Sequence, residues 1–144
     1  MLLKYHSIKL MRVVILSSAL ILICSYLQSQ NLIGYRGKDV LKYMKMNRSE
    51  MNYNNVVNSK FSYLKYSDSS ENQTILFFLS ADSVCRSIRI VCDKNMMPLK
   101  VKELNSQYVK NGENKWIDKH GGKSYIIELL EGNWSCIISI ESEK

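Results

Sequence analysis

The sequence predicts an α+β fold: a two-layer domain in which helices cover one face of an antiparallel sheet. Two segments carry apolar residues at helical spacing, and several others are short apolar or alternating runs typical of strands. The pairs Asn111-Gly112 and Gly121-Gly122 are typical of hairpin turns, which join antiparallel strands. Packing helices on one face of such a sheet buries the apolar side of both kinds of element.

The predicted element order is helix, three strands, helix, three strands. Val40, Leu41 and Met44 recur at helical spacing in the first helix, and Pro98 suits the first turn of the second. Each half of the chain repeats this order, which favours two copies of one supersecondary unit in a continuous sheet. The predicted helices cover residues 38–51 and 98–108, and the predicted strands cover 61–66, 74–80, 83–92, 115–118, 123–130 and 134–140.

The first 29 residues have the pattern of a cleavable signal peptide. A basic segment without acidic residues is followed by the apolar run 13–27, which is shorter than the roughly 20 residues that cross a bilayer. We therefore expect an exported protein, periplasmic or extracellular, with residues 30–144 forming one domain that has no stable membrane insertion after cleavage. The alternatives are an uncleaved anchor and lipidation at Cys24, which Ile23 disfavours because a small residue is wanted before a lipidated cysteine.

The charge of the predicted mature domain is mildly basic. The whole chain carries a net charge of +7, and removal of residues 1–29 leaves 17 basic and 13 acidic residues, a net charge of +4. Such a balance favours weak attraction to anionic lipid headgroups or polysaccharide. Scattered lysines in an exported protein do not indicate a nucleic-acid partner, so none is expected.

The residues that most often carry catalysis or bind metals form no recognisable motif. His120 lies directly before Gly121-Gly122, which is more typical of an exposed hairpin than of a general base oriented by Asp118. On an unbroken strand Cys85 and Cys92 point to opposite faces, so they do not meet at one metal ion. No phosphate-binding glycine loop occurs. We expect no catalytic residue, metal or cofactor, although pairing of two distant carboxylates stays open.

Three cysteines follow the predicted signal peptide, so at most one intramolecular disulfide can form among them. Cys92 and Cys136 lie on the more apolar faces of their strands and are the better candidate pair. Buried, unpaired cysteine is the ordinary alternative.

Aromatic residues are dense on the first predicted strands. Phe61 and Tyr63 share one face of the first strand, and the second strand is apolar on both faces. A two-layer domain buries only one sheet face, so some of these rings meet a partner or lie under a loop. Phe61, Tyr63, Phe77 and Arg89 are the predicted binding residues.

Two short motifs carry a resemblance to other proteins. The segment Trp116-Ile117-Asp118 before a glycine turn, followed by the strand motif Tyr125-x-Ile127, is similar to segments of small exported bacterial proteins without an assigned activity. The element order resembles the helix-plus-sheet units of the β-lactamase-inhibitor-protein-like fold. The resemblance implies a fold and an exported location and brings no activity.

Together these observations predict a non-enzymatic exported module that uses an open sheet face to hold a protein or peptide of the cell envelope. The alternatives are a small exported enzyme with dispersed carboxylates and an envelope-associated structural protein attracted to anionic polymers.

Overall fold

The computed structural model of the protein describes residues 31–54 and 62–143. The predicted signal peptide and the predicted binding residue Phe61 lie outside these residues. The helices are α1 (Gly37–Asn47) and α2 (Met97–Gln107), the latter entered through a 3₁₀ turn at Lys94–Met96. The strands are β1 (Met51–Asn54), β2 (Ser62–Asp68), β3 (Gln73–Leu79), β4 (Cys85–Asp93), β5 (Val109–Lys110), β6 (Lys115–His120), β7 (Lys123–Glu131) and β8 (Ser135–Ser142).

The described strands form one open antiparallel sheet of eight strands in the order β1-β2-β3-β4-β8-β7-β6-β5. The α+β class is therefore confirmed. The sheet has two more strands than predicted, and both are short edge strands, β1 and β5. Residues 51–54 were expected as a helix end and a loop, but Met51 is buried against the core and pairs with Asp68.

One face of the sheet forms the core. A single cross-strand row of buried side chains spans six strands, because the antiparallel register places them directly opposite one another. Val40 and Met44 of α1 and Leu104 of α2 belong to the same buried cluster. Both helices therefore lie on this face, as predicted. The row consists of Leu64, Phe77, Ile88, Ile140, Ile127 and Trp116.

The helices are held close to this face by specific contacts. A Cβ atom placed on Gly37 would lie 3.1 Å from Leu79 Cδ1, so glycine permits the start of α1 to approach β3 closely. The backbone N–H of Gly37 donates to the carbonyl oxygen of Ser83 at 2.8 Å. On α2, Asn105 Oδ1 accepts a hydrogen bond of 2.9 Å from Trp116 Nε1, which ties α2 to β6.

A β-bulge changes the facing of the first residue of β4. Phe78 pairs with Ser87 but Leu79 pairs with Cys85, so Arg86 is an extra residue in the ladder. The expectation that Cys85 and Cys92 face opposite ways is therefore wrong, since Cys85 is buried in the core and Cys92 is also buried.

Trp134 differs from its predicted position. The predicted last strand, 134–140, begins at this residue, but Trp134 lies in the turn before β8 and is 88% exposed. In the part of the chain that the structure describes, neither helix is long and apolar enough to cross a membrane.

Candidate functional site

The sheet face opposite the helices presents three parallel rows of side chains. The first outer row is apolar at both ends, the second outer row is polar at its β2 end and aliphatic at its β7 end, and the middle row carries most of the charged side chains. Within a strand, residues on one face lie about 7 Å apart, which sets the spacing of these rows. The first outer row is Tyr63, Phe78, Ser87, Glu141, Ile126, Ile117 and Val109. The middle row is Lys65, Leu76, Arg89, Ser139, Glu128 and Lys115, and the second outer row is Ser67, Thr74, Val91, Ile137 and Leu130.

Two rings and a guanidinium group form a cluster on the β2–β4 half of this open face. The ring centroids of Tyr63 and Phe78 are 5.8 Å apart, with their planes tilted by 46°. The Cζ atom of Arg89 lies 5.2 Å from the Phe78 centroid, the geometry of a cation–π contact. Tyr63 and Phe78 are half-buried and Arg89 is exposed. We call Tyr63, Phe78 and Arg89 the aromatic cluster.

The structure places the predicted binding residues in two different environments. Tyr63 and Arg89 lie on the open face. Phe77 pairs with Leu64 in the core row and is only 3% exposed, so its predicted place on a binding face is wrong. Its neighbour Phe78 lies on the open face instead and pairs with Tyr63.

The signal for Phe78 was present in the sequence as two adjacent phenylalanines. Adjacent residues of a strand point to opposite faces, so one ring of the pair had to face away from the core. Which ring it is depends on the register between β2 and β3, and the turn between them sets that register.

The β5–β8 half of the open face is aliphatic. Val109 is 70% exposed, Leu130 is 51% exposed, and Ile126 is 38% exposed. Ile117 and Ile137, which are partly buried, fill the positions between them. Large apolar groups at this exposure are a common feature of surfaces that meet another molecule.

The charged middle row is positive on the β2–β4 half of the open face, and its charges are paired on the β5–β8 half. Lys115 Nζ lies 3.1 Å from Glu128 Oε1, so these two charges pair across β6 and β7. Lys65 and Arg89 flank Leu76 on β2 and β4. Neither makes an ion pair within residues 31–54 and 62–143. This side of the face therefore offers two cations, Arg89 within the aromatic cluster and Lys65 beside it.

A shallow depression of about 400 Å³ lies at the end of the sheet where β6 turns into β7. Its lining includes Arg36, Asp39, His120 and Lys123, which combine an acid with basic groups. Among the described residues, no serine, threonine or cysteine lines it, and the hydroxyl groups of its lining belong to Tyr35 and Tyr125. The described lining therefore does not include the serine or cysteine that most often acts beside a histidine in nucleophilic catalysis.

The three described cysteines are buried free thiols. Cys92 on β4 and Cys136 on β8 are paired in register, while Cys85 lies near the far end of β4. Among the residues whose positions are described, no three histidine, cysteine or acidic side chains come together as a metal site.

Helix α1 presents a basic outer surface. Lys38, Lys42 and Lys45 are exposed and lie at the spacing of one helical stripe. Leu41 and Met46, which are 37% and 71% exposed, flank this stripe. We call Lys38, Lys42 and Lys45 the lysine stripe.

Comparisons with known proteins do not identify the chain. No protein-family model matches it, and no curated protein or solved structure is similar enough to count as a match. The resemblance to β-lactamase-inhibitor-protein-like units therefore stays an expectation.

Proposed function

We propose that the protein is a non-enzymatic exported binding module whose open sheet face holds an acidic, apolar segment of another protein. The observation that carries this proposal is the aromatic cluster, which lies on the sheet face opposite both helices. Rigid aromatic side chains and arginine are the residues most enriched at the energetic centres of protein interfaces.

The chemistry of the face argues for the kind of partner. The outer rows offer apolar contacts, and Arg89 and Lys65 between them carry positive charges that form no ion pair within the described residues. A partner carboxylate placed over Arg89 would complement this charge. The best fit is a segment that turns both apolar and acidic side chains toward the sheet, so that its apolar groups contact the outer rows and its acids meet the middle row.

Peptide display provides a direct test that needs no known partner. A random peptide library is selected on the immobilised full chain, and the selected peptides are synthesised and titrated in solution. We expect enrichment in aspartate or glutamate next to apolar residues. Arg89→Gln should weaken binding by about fivefold, the size expected for the loss of one exposed ion pair with a peptide carboxylate.

The matched control is Lys102→Gln, which removes an exposed cation from α2 on the other side of the sheet. It should leave the affinity unchanged. Arg89→Glu should reverse the selected charge from acidic to basic. The proposal would be refuted by selected peptides that show no charge preference and bind Arg89→Gln and Arg89→Glu as tightly as the unchanged chain. Concentration-dependent dimerisation that Arg89→Glu blocks would show instead that the occupant of the face is a second copy of the chain.

A second candidate function is attachment to an anionic envelope polymer or lipid surface through α1. The lysine stripe and its exposed flanking Leu41 and Met46 favour this alternative. Binding through the lysine stripe is expected to weaken steeply with added salt, because it depends on exposed charges. Binding through the aromatic cluster is expected to weaken less.

A further inference from the structure

Cys92 and Cys136 occupy directly opposite positions on the two central strands of the sheet. β4 and β8 are neighbours in the middle of the strand order, and their register pairs these two residues. Both side chains are buried, at 2% and 0% exposure. The thiol of Cys136 donates to the carbonyl oxygen of Asp93 at 3.8 Å, and each of the two thiols influences the pKa of the other.

Their backbone separation suits a covalent bond. Directly opposite residues of an antiparallel pair have Cα atoms about 4.5–5.5 Å apart. Disulfides span Cα distances of about 4.4–6.8 Å, so the Cα spacing expected for this register lies within the range that a disulfide bridges. Cys85 is excluded as a partner of Cys92, because seven residues of extended chain separate them by roughly 20 Å.

We propose that Cys92 and Cys136 form a disulfide that staples the two halves of the sheet together. The first half of the chain contributes β1–β4 and the second half contributes β5–β8, and these halves meet in the sheet at the β4–β8 pair. The chain between the two cysteines contains α2 and β5–β7, so the bond closes a long loop.

The oxidant is a small-molecule or protein disulfide. The thiolate of one cysteine attacks a sulfur of the oxidant, and one oxidant sulfur leaves as a thiolate. The thiolate of the second cysteine then attacks the mixed disulfide and releases the other oxidant sulfur. The two cysteines give up two protons and two electrons, and the oxidant is reduced to two thiols.

The exchange takes place while the chain folds rather than after the core has closed. Burial raises the pKa of Cys92 to about 11 and also raises the pKa of Cys136. Few thiolates therefore exist in the folded, reduced protein near neutral pH, and the buried sulfurs are shielded from an oxidant.

The test refolds the full chain in a buffer of reduced and oxidised glutathione, blocks the remaining thiols with iodoacetamide, and digests the product with trypsin without reduction. Cleavage after lysine and arginine leaves each of the chain's four cysteines on a different peptide. Cys92 lies on 90–94, Cys136 on 124–144, Cys85 on 66–86 and Cys24 on 13–36. We expect a cross-linked species of 90–94 with 124–144 that disappears on reduction.

Matched variants separate the proposed pair from random oxidation. Cys85→Ser should form the same cross-link in the same yield. Cys92→Ser and Cys136→Ser should each lose it. The oxidised chain should melt at least about 5 °C above the reduced chain, and both single variants should lose this difference.

Two results would overturn the proposal. One is a refolded chain with native circular dichroism in which Cys92 and Cys136 both carry the alkylating group. The other is a cross-link that involves Cys85 as often as Cys136, which would show that oxidation does not follow the native register.

Discussion

Trp116 links the sheet to a helix through one side chain. It is fully buried at the end of the core row, and its indole N–H donates to Asn105 on α2. The ring therefore supplies both apolar burial and a hydrogen bond that orients α2. The second tryptophan, Trp134, is 88% exposed and makes an ideal comparison.

Replacement of Trp116 should show how much of the fold depends on it. Trp116→Ala should reduce the free energy of unfolding by about 3–5 kcal/mol, since it leaves a large cavity in the core. Trp116→Phe should reduce the free energy of unfolding by less, because Asn105 is exposed and water can replace the hydrogen bond that the indole N–H provides. Urea denaturation measures both values.

The control for this series is Trp134→Ala, which should change the free energy of unfolding by no more than about 0.5 kcal/mol. Equal losses of unfolding free energy for Trp116→Ala and Trp134→Ala would show that Trp116 is not packed in the core.

For single residues, the sequence predicts that side chains alternate between the two faces of a strand, but it does not predict which residues of neighbouring strands pair. The opposed facing of Tyr63 and Tyr66 follows from the two-residue period of a strand, and the structure has Tyr66 buried and Tyr63 on the open face. Phe77 and Phe78 are equally apolar, so only the pairing of β2 with β3 decides which ring enters the core. Cys85 was misplaced for a related reason, since the extra residue Arg86 interrupts the alternation within β4.

Among the elements, the strongly patterned ones were predictable and the short edge strands were not. β3, β4, β7 and β8 lie close to their predicted positions. β1 has the sequence Met-Asn-Tyr-Asn and β5 has only two residues, so neither carries enough apolar alternation to be recognised. Short edge strands with polar side chains also resist pairing with other chains. β1 and β5 therefore form strands because β2 and β6 lie beside them as pairing partners, and not because of a strand preference in their own sequences.

The lysine stripe of α1 gives the second candidate function a test at the level of one helix. Lys38→Gln, Lys42→Gln and Lys45→Gln are combined in one variant, which loses three charges. Its retention on vesicles rich in phosphatidylglycerol should fall by about tenfold or more at low salt, because each basic side chain near an anionic surface contributes about 1 kcal/mol. Vesicle sedimentation measures the bound fraction.

The control variant removes the same charge elsewhere, with Lys102→Gln, Lys110→Gln and Lys119→Gln at exposed positions outside α1. It should retain most of the binding. If both triple variants lose binding equally, net charge rather than the lysine stripe is responsible, and α1 is not an attachment surface.

For the whole molecule, the first four strands and the last four strands meet at the centre of the sheet, where β4 pairs with β8. We call this pair the joint between the two halves. β4 is the last strand of the first half of the sheet and β8 is the last of the described strands, yet they pair side by side. This crossover puts Ile88 and Ile140 opposite each other in the middle of the core row. A core that is continuous across the joint is expected to unfold as one cooperative unit.

That cooperativity can be tested with a probe placed far from the mutation. Ile88→Val removes one methylene from β4, in the first half, and should cost about 1 kcal/mol. Trp116 on β6, in the second half, reports unfolding by fluorescence when Trp134 is replaced by phenylalanine. Far-UV circular dichroism reports both halves together. If the sheet unfolds as one unit, Ile88→Val shifts the urea midpoints of the fluorescence and circular dichroism transitions by the same amount. A fluorescence transition that stays in place while the dichroism splits into two steps would show that the halves unfold separately.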